Sequence, residues 1–386
     1  MTDIKPSRIA SIDILRGFVI LLMLVDHVRE RFYLHKQVLD PMDINNTEPA
    51  LFFTRLSAHL CAPIFVFLTG ISAWLYANPS SGIKRSAPSF LFKRGLILIL
   101  LEVTLINFSW FGAYNTLYLQ VIWAIGLSMI VLAGAAYLPR QWIIAIGLTI
   151  VIGHNLLSPI QFSSGEFGYS VWTVLHDRGF LISDAWVNVK VSYPVLPWIG
   201  VIMLGYAVGP LFSSNVSSAK RKLILIKAGF SLIALLLILR GFNIYGETLE
   251  WTNQVTVLMT IMAFLNYTKY PPSLDFLLFS ISIGALTLAW LETAKAGWLN
   301  KVNILGSAPM FFYILHLYIL LFCYLIAYQV WGPNTFYGDA QQGYLAFDHI
   351  GQVWLFSAGL IFVLYWPSKK FSQFKRATHM RWVKYF

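Results

Sequence analysis

Long apolar runs, most interrupted by only a few polar positions, alternate along the chain with short charged or polar segments. The pattern predicts helices over 9–29, 51–77, 94–111, 117–138, 141–157, 194–212, 223–240, 274–291, 304–330 and 350–366. Each is apolar enough to cross roughly 30 Å of hydrocarbon, some with tilt. The stretch 158–193 reads as a long polar and aromatic loop. Segment 252–268 is shorter and more polar, and it runs into Lys269-Tyr270-Pro271-Pro272, which cannot stay helical. It is expected to lie at the interface or re-enter rather than cross. The predicted fold is an all-α polytopic membrane bundle of about ten transmembrane helices, forming one domain over 1–386.

The first helix breaks the pattern in an informative way. It carries Asp13 and Arg16 near one end, and Asp26, His27, Arg29 and Glu30 at the other. A charge inside hydrocarbon costs several kcal/mol unless it is paired or faces a polar cavity. Residues 13, 16, 20, 23 and 27 follow 3-4-3-4 spacing and share one helical face. That face has an acid–base pair at one end and an imidazole roughly 20 Å away, at ~1.5 Å per residue.

Composition agrees with a membrane protein: 58% of the 386 residues are hydrophobic and 12% charged, against roughly 25% charged in soluble domains. Cys61 and Cys323 both fall in apolar segments, so no disulfide framework is expected. No cleavable signal peptide is expected either. The net charge of +11 is explained by its distribution rather than by nucleic acid. With a cytoplasmic amino terminus, Lys84, Arg85, Lys93, Arg94, Arg140, the Lys220–Lys222 cluster and the basic carboxy-terminal tail all fall on the inner side. Both termini are then cytoplasmic, and the basic surface meets anionic lipid.

Candidate chemistry resides in ionisable groups within the helices. Arg55 and His59 are four apart on one face; Glu102 shares a face with Arg94 and Leu98; His316 lies one turn from Tyr313. A polar track from Arg16 past Glu102 and His316 to His27, Arg55 and His59 follows if these helices face one another. The chain has no Walker loop and no dinucleotide fingerprint. A zinc site from His27, His59 and Glu102 is conceivable, but no His-x-x-x-His pair supports it. Histidine beside a carboxylate is a general-base arrangement. Asp26 adjoins His27 but points about 100° away, so Glu102 is an equal candidate partner. The loop residues Trp172, His176, Asp177, Arg178, Trp186 and Tyr193 suit stacking on a sugar or an interfacial aromatic belt.

Ser11-Ile12-Asp13, Leu15-Arg16-Gly17 and Asp26-His27-Val28-Arg29 resemble the opening of bacterial relatives of heparan-alpha-glucosaminide N-acetyltransferase. Arg55, the run His59–Leu68, Pro197–Val201, Thr268–Ser273 and Tyr313–Tyr318 extend the resemblance over nearly the whole chain. It implies a multi-pass acyltransferase of the bacterial inner membrane, moving an acetyl group from cytosolic acetyl-CoA to a sugar or glycolipid acceptor at the outer face. On that reading Arg16 (with Asp13), Lys93 and Arg94 meet the donor's phosphates. His27 or His59, with Asp26, takes the acceptor's proton or carries the acyl group. Glu102 and His316 line the path, and Arg55 orients the acceptor or offsets oxyanion charge. In the family's lysosomal member the active histidine lies in the loop after the first helix, where this chain has His35. Expected partners are membrane lipids, acyl-CoA, the acceptor and a second copy of the chain, with no nucleic acid. The alternatives are a transporter or exporter of a lipid-linked or sugar substrate, using the same polar track, and a structural membrane protein, which the intramembrane charges disfavour.

Overall fold

The first apolar run forms a single helix, α1 (Ala10–Phe32), with Asp13 in its first turn and Arg29 and Arg31 in its last. That charge order suits the helix dipole at both ends. The computed structural model describes residues 10–336, 343–378, 380 and 383. The expected topology cations Lys5, Arg8, Arg381 and Lys384 lie outside the described residues.

After α1 come α2 (Pro49–Ala58), α3 (Cys61–Ala77), α4 (Ala87–Leu101) and α5 (Asn107–Phe111). Strand β1 (Thr116–Leu119) leads into α6 (Val121–Ala135) and α7 (Arg140–Gly153). Then follow α8 (Tyr169–Leu175), β2 (Gly179–Ile182), β3 (Asn188–Val191), α9 (Leu196–Val208), α10 (Ser218–Gly241) and α11 (Val257–Phe264). The chain continues through α12 (Leu274–Leu291), α13 (Leu299–Gly306), α14 (Pro309–Trp331), the short hairpin β4 (Thr335–Phe336) and β5 (Gly343–Tyr344), and α15 (Ile350–Ala377).

Among the described residues six helical segments are long and apolar enough to cross a membrane: Pro49–Ala77, Arg140–Leu157, Ser218–Gly241, Leu274–Leu291, Pro309–Trp331 and Ile350–Ala377. Shorter apolar segments cover Val121–Ala135 and Leu196–Phe212. The outward faces of α7, α10 and α15 expose Leu148, Ile152, Leu237, Ile238, Leu355 and Phe362. Such faces are costly in water and natural against lipid tails. Helix α11 has 8 residues, about 12 Å at ~1.5 Å each, too short to cross alone.

Proline explains one interruption that helical periodicity hides. Pro63 has no N–H to give the carbonyl four residues back, that of His59. The helix breaks between α2 and α3 at that point, and the freed His59 carbonyl accepts a hydrogen bond from the Ser280 hydroxyl of α12 at 3.0 Å. Between α4 and α5, Glu102–Ile106 forms a wide π turn, of the kind found often at functional sites. The Asn107 side chain accepts from Tyr118 N–H at 2.7 Å and donates to Tyr118 carbonyl at 3.0 Å, fastening β1 to this turn.

The all-α expectation needs correction in two places. Residues 158–193 hold α8 and two strands, and β1 pairs in parallel with β3, which pairs antiparallel with β2. Short strand segments flanking the loop supply mutual backbone partners that a single strand lacks. The helix expected over 304–330 is two helices, because Pro309 starts α14 afresh after α13 ends at Gly306.

Helix α1 sits centrally, packed against α2, α3, α12, α13, α14 and α15. Its approach to α13 is backbone to backbone: a Cβ on Gly306 would overlap the Asp13 carbonyl. At the same end, Glu292 after α12 accepts from Arg221 of α10 at 2.6 Å, from Ser11 of α1 at 2.8 Å and from Ser218 at 2.9 Å. Burial pushes this carboxyl up, but the bonds from Arg221, Ser11 and Ser218 outweigh it and hold the group below its ordinary 4.5. A depressed carboxylate contributes stability above its unfolded-state value and loses it as pH falls through the folded one. Glu292→Gln should therefore lower the melting temperature at neutral pH. The gap from wild type should close as pH is taken below 4.5, as read by thermal unfolding in detergent. A gap that stays constant with pH refutes this role.

Candidate functional site

One cavity of about 1550 Å³ runs beside α1, larger than the roughly 300–1,000 Å³ usual for small-molecule sites. Asp13, Arg16, Met23, Asp26 and His27 all line it, so it follows the face marked by the 3-4 spacing. Asp13 and His27 are about 20 Å apart along the helix at ~1.5 Å per residue, and the cavity therefore has two distinct ends.

At the Asp13 end the wall is cationic. Arg16, Arg85, Arg94, Arg221, Lys375 and Arg376 line it, together with Ser72, Ser213 and Asn215. Asp13 and Asp26 are the acids among the described lining residues. Arg16 is held by Asp13 at 2.9 Å and by the Ser72 hydroxyl. Arg85 lies over the Tyr76 ring and Arg94 over Phe90, and those two rings stack at 4.0 Å. The aromatic faces support the two guanidinium groups at the cavity wall.

At the other end His27 and His316 form a chain of hydrogen bonds. His316 Nδ1 lies 2.8 Å from the Phe312 carbonyl, which can only accept. A neutral His316 therefore has its proton on Nδ1 and accepts at Nε2. His27 Nδ1, 2.7 Å from that Nε2, must donate. The lone pair of His27 then sits on Nε2, which has no partner among the described residues. Trp110 and Tyr313 meet the His27 ring edge-on at 5.0 and 5.7 Å and fix its plane. The arrangement is an oriented neutral base facing a cavity.

Asp26 is occupied elsewhere. Its Oδ1 accepts from Arg29 Nε and NH2 at 3.0 and 2.9 Å, and its Oδ2 from Arg55 at 3.3 Å. The carboxylate thus joins α1 to α2 and does not orient His27. Glu102 does not orient it either: its Oε2 accepts from Trp123 N–H at 3.0 Å on α6. The sequence offered Asp26 and Glu102 as equal partners for His27, and the partner is a second histidine instead, because α14 and neither of those acids packs on that face.

The remaining sequence-marked residues divide by position. Arg16, Asp13, Arg94, Asp26, His27 and Tyr313 line the cavity. Arg55, His59, Glu102 and His316 are buried behind its wall, and Lys93 is exposed away from it. No group of three or more His, Cys, Asp or Glu able to hold a metal occurs among the described residues. In the loop, Trp172 stacks on His176, and His176 bonds the His154 carbonyl at 3.0 Å, so both brace the loop. Trp186 is fully exposed, and Tyr193 alone of that set lines the cavity. Sequence reasoning missed Lys269 and the cations Arg85, Arg221, Lys375 and Arg376 as cavity residues. Lys269 carried a signal: a lysine held in a rigid Tyr-Pro-Pro connection.

The family model described as heparan-alpha-glucosaminide N-acetyltransferase, catalytic, matches residues 8–245, more than half the chain. That span includes Asp13, Arg16, Asp26, His27, Arg55 and Arg94, while Lys269, Tyr313 and His316 lie beyond it. No curated protein matches the chain.

The proton assignment is directly measurable. In protein carrying ¹⁵N-labelled histidine at neutral pH, His27 and His316 should both show protonated Nδ1 and unprotonated Nε2. Replacing His316 by alanine should remove the bias at His27. A wild-type His27 protonated on Nε2 alone contradicts the assignment.

Proposed function

Because the chain belongs to the heparan-alpha-glucosaminide N-acetyltransferase catalytic family, we propose that it moves an acetyl group across the membrane. The donor is cytosolic acetyl-CoA, and the acceptor is a sugar or glycolipid amine or hydroxyl at the outer face. The observation carrying this reading is the single cavity joining a cationic end to an oriented histidine base. In this reading the six apolar helices, α1, the α4–α5 unit, α6 and α9 all cross. An even number of crossings leaves both termini on the cytoplasmic side. The sharing of one cavity end by Asp13 of α1 and Arg376 of α15 supports that topology.

The division of labour follows from charge. Phosphates of the donor are drawn to the Arg16, Arg94, Arg85 and Arg376 end, where planar guanidinium groups fit them. The thioester then extends along α1 toward His27. The acceptor's nitrogen or oxygen attacks the thioester carbonyl carbon as His27 Nε2 takes its proton. The C–S bond breaks, and the proton passes to the leaving sulfur, giving free CoA thiol. His316 and the Phe312 carbonyl hold the imidazole in the tautomer that makes this possible. The Asp26–Arg29–Arg55 cluster fixes α2 against α1 and keeps the base's neighbourhood from collapsing.

Purified protein in lipid nanodiscs should bind acetyl-CoA and transfer its acetyl group to a hexosamine acceptor. His27→Ala should lower the transfer rate by about 10²–10⁴-fold while leaving acetyl-CoA affinity intact. Arg94→Ala combined with Arg376→Ala should weaken acetyl-CoA binding. Wild-type protein that binds no acetyl-CoA but moves a sugar substrate across proteoliposomes would establish an exporter instead.

A further inference from the structure

Acyl transfer needs more than a base, because negative charge develops on the thioester oxygen as the acceptor attacks. Arg55, the arginine expected from the sequence to offset that charge, is bonded to Asp26 and lies behind the cavity wall. Lys269 has the opposite circumstances. It lines the cavity together with Asp26 and His27 and is 4% exposed. Its ammonium lies over the Tyr193 ring at 5.9 Å and the Tyr270 ring at 5.1 Å. Among the described residues its ammonium makes no hydrogen bond and closes no salt bridge, although the Asp26 carboxylate is near enough to attract it. An ammonium resting on ring faces, with Asp26 only at longer range, has not recovered the oxygen contacts it makes in water.

The backbone around Lys269 is fixed from both sides, so the position is built rather than incidental. Lys269 N–H donates to Asp40 at 3.0 Å, and Tyr270 N–H donates to the same carboxylate at 2.8 Å. Thr268 donates to Glu247 through its N–H at 2.9 Å and through its hydroxyl at 2.7 Å, and Ser273 donates there as well. Two carboxylates thus clamp the connection between α11 and α12, yet neither is spent on the ammonium. Asp26, the acid at this end of the cavity, already answers two arginines.

We propose that Lys269 holds the carbonyl oxygen of the acyl group and stabilises the oxyanion during transfer. This rests on the acyltransferase reading above. The acceptor's lone pair forms the new bond to the carbonyl carbon, and the C=O pair moves onto oxygen beside the ammonium. Collapse restores the carbonyl and expels the thiolate, which takes the proton held by His27. Lys269 keeps its proton throughout, so it acts by charge and hydrogen bonding and not as an acid.

The test uses full-length protein in nanodiscs with acetyl-CoA labelled with ¹³C at the carbonyl and no acceptor. Isotope-edited infrared spectra should show the thioester carbonyl stretch of bound wild type moved to lower wavenumber. The shift should vanish in Lys269→Met and persist in Lys269→Arg. In turnover, Lys269→Met should lower kcat by about 10²–10³-fold, with a much smaller loss of acetyl-CoA affinity, and Lys269→Arg should recover part of both. A donor with a more electron-withdrawing acyl group, whose oxyanion needs less help, should narrow the defect. An unshifted carbonyl in wild type, or a folded Lys269→Met with wild-type kcat, overturns the proposal. The wild-type spectrum decides even if the variants do not fold. Wild-type protein that binds no acetyl-CoA overturns both this role and the reading beneath it, and is told apart by the binding measurement.

Discussion

A charge on a helix surrounded by apolar neighbours has to be answered from within the protein, and the answers given to α1 determine what packs beside it. Asp13 and Arg16 satisfy each other within the helix, and Arg16 reaches further to Ser72 on α3. Asp26 takes Arg29 from its own helix and Arg55 from α2. Ser11 joins Arg221 and Ser218 of α10 on Glu292. Each polar tie demands close approach, which small residues at the crossings permit, as at Gly306 against Asp13. The central position of α1 is thus an electrostatic requirement as much as a hydrophobic one.

The same constraint explains why the cavity has two unlike ends. A wall rich in cations with few acids is unstable if it is sealed and dry, so it must open to water, lipid headgroups or an anionic ligand. At the His27 end the acid Asp26 is already paired with two arginines, and Lys269 is the cation that faces the space. His27 and His316 carry no net charge in the tautomers set by the Phe312 carbonyl. An imidazole chain can therefore be buried beside Trp110 and Tyr313 where a second carboxylate would need its own cation.

Much of this was readable from the chain. The 3-4 spacing of residues 13, 16, 20, 23 and 27 identified a polar face, and residues 13, 16, 23 and 27 do line the cavity. Helix 274–291 was placed to the residue, because Ser273 caps it and apolar positions fill it. What spacing could not supply is which helix lies opposite. It fixes a residue's direction around its own axis and nothing about its neighbour. Glu102 and His316 looked alike as intramembrane polar groups, yet one turns to the Trp123 backbone and the other to His27. The strands in 158–193 were hidden for a related reason: four-residue strands are too short for alternation to stand out, and one of the partners of β3 is the distant β1. The break at His59 was missed, since apolar periodicity runs unbroken over 51–77, and so was its repair by Ser280.

Commitment, more than proximity, separates the groups that hold the site from those able to act in it. Arg55, Arg29, Asp26 and Glu30 form a closed set of two cations and two acids in which each charge is already answered. Calling on Arg55 to meet a charge appearing on substrate would mean breaking its bond to Asp26 and leaving a buried carboxylate exposed to the loss. His27 Nε2, the Lys269 ammonium and the Tyr313 hydroxyl are differently placed. They border the cavity, and among the described residues none of them has a hydrogen-bond partner for the atom in question. A base, a cation and a hydroxyl around one space, none of them committed to a bond within the protein, can each turn to a bound molecule at little cost. A substrate that brings a proton to give, a developing oxyanion and a carbonyl or hydroxyl oxygen would satisfy all three at once. Interactions completed mainly in the transition state are the ones that raise turnover.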